Sequence, residues 1–126
     1  MAQPVNDEDA AQKSAEAFVR SLTNGDLEQV YAGMAPQFRG MYPVANFKQN
    51  VGFYRIQWGG QVKSVTYVGS QRMQQLPSGQ TGDFFYVRFR TVYPNVTLFT
   101  DVYLTHVGSD WQVGGFYFLP VPTQQP

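Results

Sequence analysis

The stretch FFYVRFRTVYPNVTLFTDVYL, Phe84 to Leu104, decides the fold. Apolar and polar residues alternate on both sides of Pro94-Asn95, the period of half-buried β-strands flanking a tight turn. With a two-residue loop at Pro94-Asn95, Tyr93 pairs with Val96 and the register of the whole hairpin follows. One face then carries Phe85, Val87, Phe89 and Thr91 opposite Leu104, Val102, Thr100 and Leu98. It is nearly all apolar and is expected to lie under helices. The other face carries Tyr86, Arg88 and Arg90 opposite Tyr103, Asp101 and Phe99. A slip of one residue would exchange the two faces.

Outward from this hairpin, the β period extends from Gln61 to Leu119. Four strands are expected near 61–76, 83–93, 97–107 and 111–119, separated by Pro77–Gly82, Pro94-Asn95 and Gly108–Asp110. In simple alternation the last strand adds Phe116 and Phe118 to the open face, and Val113 and Tyr117 to the covered one.

Upstream the period is helical. Asn6-Asp7-Glu8-Asp9 offers a cap and carboxylates that oppose the positive helix end. Ala11, Ala15, Phe18, Val19 and Leu22 then share one face. Asn24-Gly25 predicts a left-handed stop, and Asp26 caps a short second helix carrying Leu27, Val30, Tyr31 and Met34. Pro36 is expected to close that helix and leave Phe38 as a plug in the connection. A third helix is expected over Val44 to Gln57, with Phe47, Val51, Tyr54 and Trp58 inward and Gly59-Gly60 as its end. The fold class is α+β: three N-terminal helices (6–58) packed on one face of a curved four-stranded antiparallel sheet (61–119). At 126 residues this is one domain, with a Pro- and Gln-rich tail, 120–126, expected to fray.

Two runs carry a resemblance. Ala15-Glu16-Ala17-Phe18 through Asn24-Gly25-Asp26-Leu27, and later Trp111-Gln112-Val113-Gly114-Gly115-Phe116-Tyr117, resemble the nuclear-transport-factor-two-like, or cystatin-like, superfamily of cone-shaped domains. Within it the chain is similar to a bacterial exported family, the domain of unknown function numbered four thousand and nineteen. The resemblance implies the cone fold. It implies no single activity, because that scaffold hosts enzymes, ligand binders and dimerisation modules.

Composition narrows the classes. Lys plus Arg and Asp plus Glu number 9 each, so the basic excess of a nucleic-acid binder is missing. There is no cysteine for thiolate chemistry, and no run approaches the roughly 20 apolar residues of a membrane span. Met1-Ala2-Gln3-Pro4-Val5 has neither the basic region nor the apolar core of a signal peptide. A Met set directly before Ala-Gln-Pro fits a mature exported chain, so the expected location is periplasmic or secreted.

No catalytic set is expected. Enzymes of the resembled superfamily keep a carboxylate on the cone-facing side of a strand and a Tyr on the first helix; here the covered face offers no carboxylate and the helix offers Phe18. His106 lies five residues from Asp101, on the opposite face of an unbroken strand, and reads as a strand-end residue. Asp83 reads as turn chemistry, and no metal or cofactor is expected. Two binding sites remain. A pocket in the cone would use Tyr31, Phe38, Tyr54, Trp58, Phe85, Phe89 and Tyr117, with Phe38 as stopper and Tyr hydroxyls orienting a ligand. A homodimer interface on the open face would use Tyr86, Arg88, Phe99, Asp101, Tyr103, Phe116 and Phe118. Arg88 and Asp101 read either as an exposed cross-strand ion pair or as a pair buried under a partner. The expected function is a non-catalytic binding or assembly module of the bacterial cell envelope, dimerising through that face and meeting an envelope protein. The alternatives are a binder of a small apolar ligand and an enzyme with an unrecognised site.

Overall fold

Residues 7–121 are described by the structure, a computed structural model. Asn6 and the tail from residue 122 lie outside the described residues. The elements are α1 (Asp7–Asn24), α2 (Leu27–Ala32), α3 (Pro36–Met41), α4 (Val44–Trp58), β1 (Ser64–Gln75), β2 (Thr81–Val92), β3 (Thr97–Val107) and β4 (Asp110–Pro120). The strands form one antiparallel sheet in the order β1-β2-β3-β4, with the helices on one face.

The central hairpin has the register its turn dictates. Tyr93 N–H donates to the Val96 carbonyl at 2.8 Å, and Phe85, Arg88 and Thr91 stand opposite Leu104, Asp101 and Leu98. The covered face of this hairpin is buried throughout, from Phe85 and Leu104 to Thr91 and Leu98. Its two polar members satisfy each other: the Thr91 and Thr100 hydroxyls lie 2.9 Å apart, and Thr91 also donates to the Leu98 carbonyl.

The helical part has one more helix than the sequence predicts. Pro36 does not close α2; it occupies the first turn of α3, where its missing N–H costs nothing and its φ suits a helix. Ala35, held extended at φ −61° and ψ 145°, is the joint. Phe38 is therefore a helical residue and not part of a loop. The corner between α1 and α2 also differs from expectation. Gly25 is not left-handed; a Cβ there would lie 2.8 Å from the Ser21 carbonyl oxygen, so close approach and not φ demands glycine. The open carbonyls at the end of α1 are capped from α4: Arg55 donates to Leu22 at 2.6 Å and to Gly25 at 2.8 Å. Asp26 caps α2 as expected, accepting from the Glu28 N–H.

α4 ends at Gly59, which does adopt φ +88°. A Cβ there would stand 2.7 Å from the Asn95 side chain. Asn95 belongs to the β2–β3 turn and donates its backbone N–H to the Trp58 carbonyl at 2.9 Å, tying the hairpin tip to the helix end. Gly59→Ala combines the left-handed strain with that clash. It is expected to cost about 1–2 kcal/mol, read as a lower urea midpoint. An unchanged midpoint would mean that the junction does not hold the hairpin.

β4 departs from simple alternation. Tyr103 faces Gly115 while Leu104 faces Val113, which leaves Gly114 as a bulge. Trp111 and Val113 before the bulge and Phe116 and Phe118 after it all reach the core side. One inserted glycine thus lets β4 present four large side chains inward.

Candidate functional site

The rings expected to line a pocket mostly fill it. Phe85 and Phe89 are buried in the sheet, and Trp58 is buried, stacked 4.3 Å from Tyr93 and 5.1 Å from Tyr54. Phe38 packs 6.1 Å from Phe47 and 5.9 Å from Phe116, and Phe116 closes on Phe18 at 5.3 Å. The Tyr31 hydroxyl bonds to the Arg39 and Tyr42 carbonyls at the end of α3, so it holds that helix and is not turned to a ligand. Tyr117 is not in the cone: the bulge at Gly114 turns it out, 61% exposed. Open space remains at the surface: a groove of about 340 Å³ outside Phe38, between α3–α4, the edge of β4 and the β1–β2 turn, and a cleft of about 430 Å³ between α1, α2 and the start of β4. Tyr54, half-buried, reaches the wall of the groove.

The helix-free face of the sheet keeps Tyr86, Arg88, Phe99, Asp101 and Tyr103 together. It loses Phe116 and Phe118, which face the helices instead, and gains Tyr117 and Leu119 opposite Asp101 and Phe99. The Arg88 guanidinium meets the Asp101 carboxylate through two bonds, 2.7 and 3.0 Å, and lies 4.8 Å over the Phe99 ring. Such a two-pronged, charge-assisted contact fixes both side chains. The Asp101 side chain is only 9% exposed within a single chain, so its burial does not need a partner. Tyr86 lies 5.2 Å from Tyr103, and Tyr103 5.8 Å edge-on from Tyr117. Desolvation, and then Asp101, hold the Tyr86 and Tyr103 hydroxyls above the ordinary tyrosine range; the carboxylate acts on Tyr86 through a hydrogen bond as well as its charge, and on Tyr103 through its charge. The Asp101 carboxylate raises the Arg88 guanidinium further above its already high range.

A third cluster escapes the sequence reading. Asp83 accepts two bonds from Arg72, at 2.9 and 2.7 Å, and His106 Nδ1 stands 3.4 Å from the same carboxylate. Arg72 also reaches Asp7 at 3.1 Å, and His106 stacks flat on Trp111 at 4.4 Å. The Arg72 bonds, above all, pull the Asp83 carboxyl below its ordinary range. Asp83 is therefore a strand residue in a clamp and not turn chemistry. His106 does pair with an aspartate, though not the one considered. Register could have found this: one step beyond Phe84–Thr105 sets His106 opposite Asp83. Both oxygens of Asp83 are engaged by Arg72, so the arrangement ties the start of α1 to β1 and β2. Among the described residues no cluster of three or more His, Asp or Glu could hold a metal ion, and no helix is long and apolar enough to cross a membrane.

Comparison with known proteins adds a family and a fold. The model of a family described as "Protein of unknown function (DUF4019)" matches residues 14–116. The structure is similar to that of Bdellovibrio bacteriovorus Bd1075, with a TM-score of 0.56 and 13% identity over 90% of this chain. The match covers 40% of Bd1075, so this chain spans well under half of that protein. At that identity the likeness is one of fold alone. No curated protein matches.

Proposed function

We propose that this chain, which belongs to the DUF4019 family, is a non-catalytic binding and assembly module of the bacterial cell envelope. It pairs with a second copy of itself through the helix-free face of its sheet. One observation carries this reading: three tyrosines, Tyr86, Tyr103 and Tyr117, lie ring to ring on that face, beside an aspartate already buried and locked by Arg88. Aromatic side chains and Arg are the types enriched in interface cores, and an ordered ion pair sets register without adding conformational freedom. Leu119, 40% exposed, extends the patch along β4. The envelope placement rests on the resemblance to an exported family. A small apolar ligand inside the cone would have to displace the Phe18, Phe38, Phe47 and Phe116 rings, which makes the open face the better supported site.

Sedimentation velocity tests the pairing. The expected mass is twice 14.2 kDa at micromolar concentration. Leu119→Glu places an unpaired charge in the interface at an exposed position, so it is expected to give a folded monomer. A wild-type monomer at millimolar concentration would overturn the reading.

A further inference from the structure

We propose that the outer edge of β4, from Gly114 to Pro120, docks a short extended peptide of uncharged residues, which adds to the sheet as a fifth strand. β4 is the last strand of the sheet, so among the described residues one side of its backbone has no strand partner. Hydrogen bonding fixes which residues point that way. Tyr93 and Val96 form a bonded pair, so Val102 and Thr100 turn their N–H and C=O toward β2, and their β4 partners, Phe116 and Phe118, turn theirs outward. The Val113 carbonyl, likewise outward, is already taken: the Ala35 N–H donates to it at 2.8 Å. Ala35 is thus the first rung of a fifth strand. The rung stops there because Pro36 turns the chain into α3.

The groove of about 340 Å³ continues from that rung along the same edge. One wall is Phe38, Tyr42, Asn46, Asn50 and Tyr54; the other is Gly114 to Tyr117 of β4, with Leu76, Ser78 and Gln80 of the β1–β2 turn beside the two glycines. These walls hold aromatic rings, amides, the Met41 and Leu76 side chains and the Ser78 hydroxyl, and no charged side chain, which selects against charged segments. At the far end Pro120 has no N–H to offer, so pairing is limited to the Phe116 and Phe118 rungs. A segment of four or five residues, about 13–17 Å long at the rise of a strand, spans that edge. Its alternate side chains would enter the aromatic wall, and main-chain bonds would supply sequence-tolerant affinity. This site is separate from the tyrosine face proposed for pairing, although Tyr117 borders both.

Amide hydrogen exchange on the ¹⁵N-labelled full chain tests it. The probe is an equimolar pool of acetylated, amidated hexapeptides drawn from Val, Thr, Asn and Tyr. The control is the same pool N-methylated at every residue. The Phe116 and Phe118 amides are expected to exchange fast in the free protein and at least tenfold more slowly with the first pool only. Asn50→Arg, at an exposed position in the groove wall, is expected to raise the pool concentration required at least tenfold while leaving the mass in solution unchanged. Four results would overturn the proposal: no slowing by the pool, equal slowing by the N-methylated pool, an Asn50→Arg variant that responds like wild type, or protection without peptide that grows with protein concentration. The last would mean that a second copy occupies the edge.

Discussion

Replacing Phe38 with alanine is expected to destabilise the domain by about 3–5 kcal/mol, a fall of roughly 10–20 °C in the thermal midpoint. Phe38 is only 9% exposed although it sits on a helix of 6 residues at the surface of the molecule. Its ring lies 4.9 Å from Tyr42, 5.9 Å from Phe116, 6.1 Å from Phe47 and 6.4 Å from Tyr31. It is the shared neighbour of α2, α4 and β4, so its removal loosens three contacts at once. The groove outside it admits water, which softens the penalty toward the lower figure. Phe38→Leu keeps most of the volume and is expected to cost about 1 kcal/mol. Chemical denaturation of both variants decides the role of the ring. A loss below about 1 kcal/mol for the alanine variant would make Phe38 a movable lid on the groove. The larger loss makes it a member of the core.

That residue also shows where sequence reading succeeds and where it stops. The hairpin from Phe84 to Leu104 was legible because a Pro-Asn turn fixes register and strict alternation then fixes faces. The expected burial of Phe85, Val87, Phe89 and Thr91 follows from nothing else. Pro36 was ambiguous because proline both ends a helix and opens one; only the extended Ala35 before it separates the cases. The exchange of Phe116 and Phe118 for Tyr117 came from a single bulge. Its signal was present: Gly114-Gly115 inside a strand is the usual mark of a bulge. Arg55 capping the end of α1 had no such signal, since its partners lie 30 or more residues away and only the packed structure brings them within reach. Fold was legible from local period. The candidate sites depended on faces and edges, which one glycine can reassign.

Arg88→Met is expected to cost about 2–4 kcal/mol, and adding Asp101→Leu is expected to restore most of it. The asymmetry is physical. The Asp101 side chain is only 9% exposed, and its counter-charge is Arg88, through the two bonds at 2.7 and 3.0 Å. Removing Arg88 leaves a carboxylate without a counter-charge among Tyr86, Tyr103 and Tyr117, whose rings return little of that energy. The figure sits below the full cost of breaking a wholly buried pair because Arg88 is itself 31% exposed and water can follow it in. Removing both charges leaves apolar side chains at facing positions where side chains approach closely, and cross-strand packing then replaces the pair. Urea unfolding of the two single variants and the double variant gives the coupling directly. A coupling below about 0.5 kcal/mol would place the pair with ordinary exposed ion pairs. Sedimentation of the double variant separates fold from assembly. If it is as stable as wild type and no longer pairs, Arg88 and Asp101 serve the register of the interface. If it pairs undiminished, the tyrosines alone hold the two copies together.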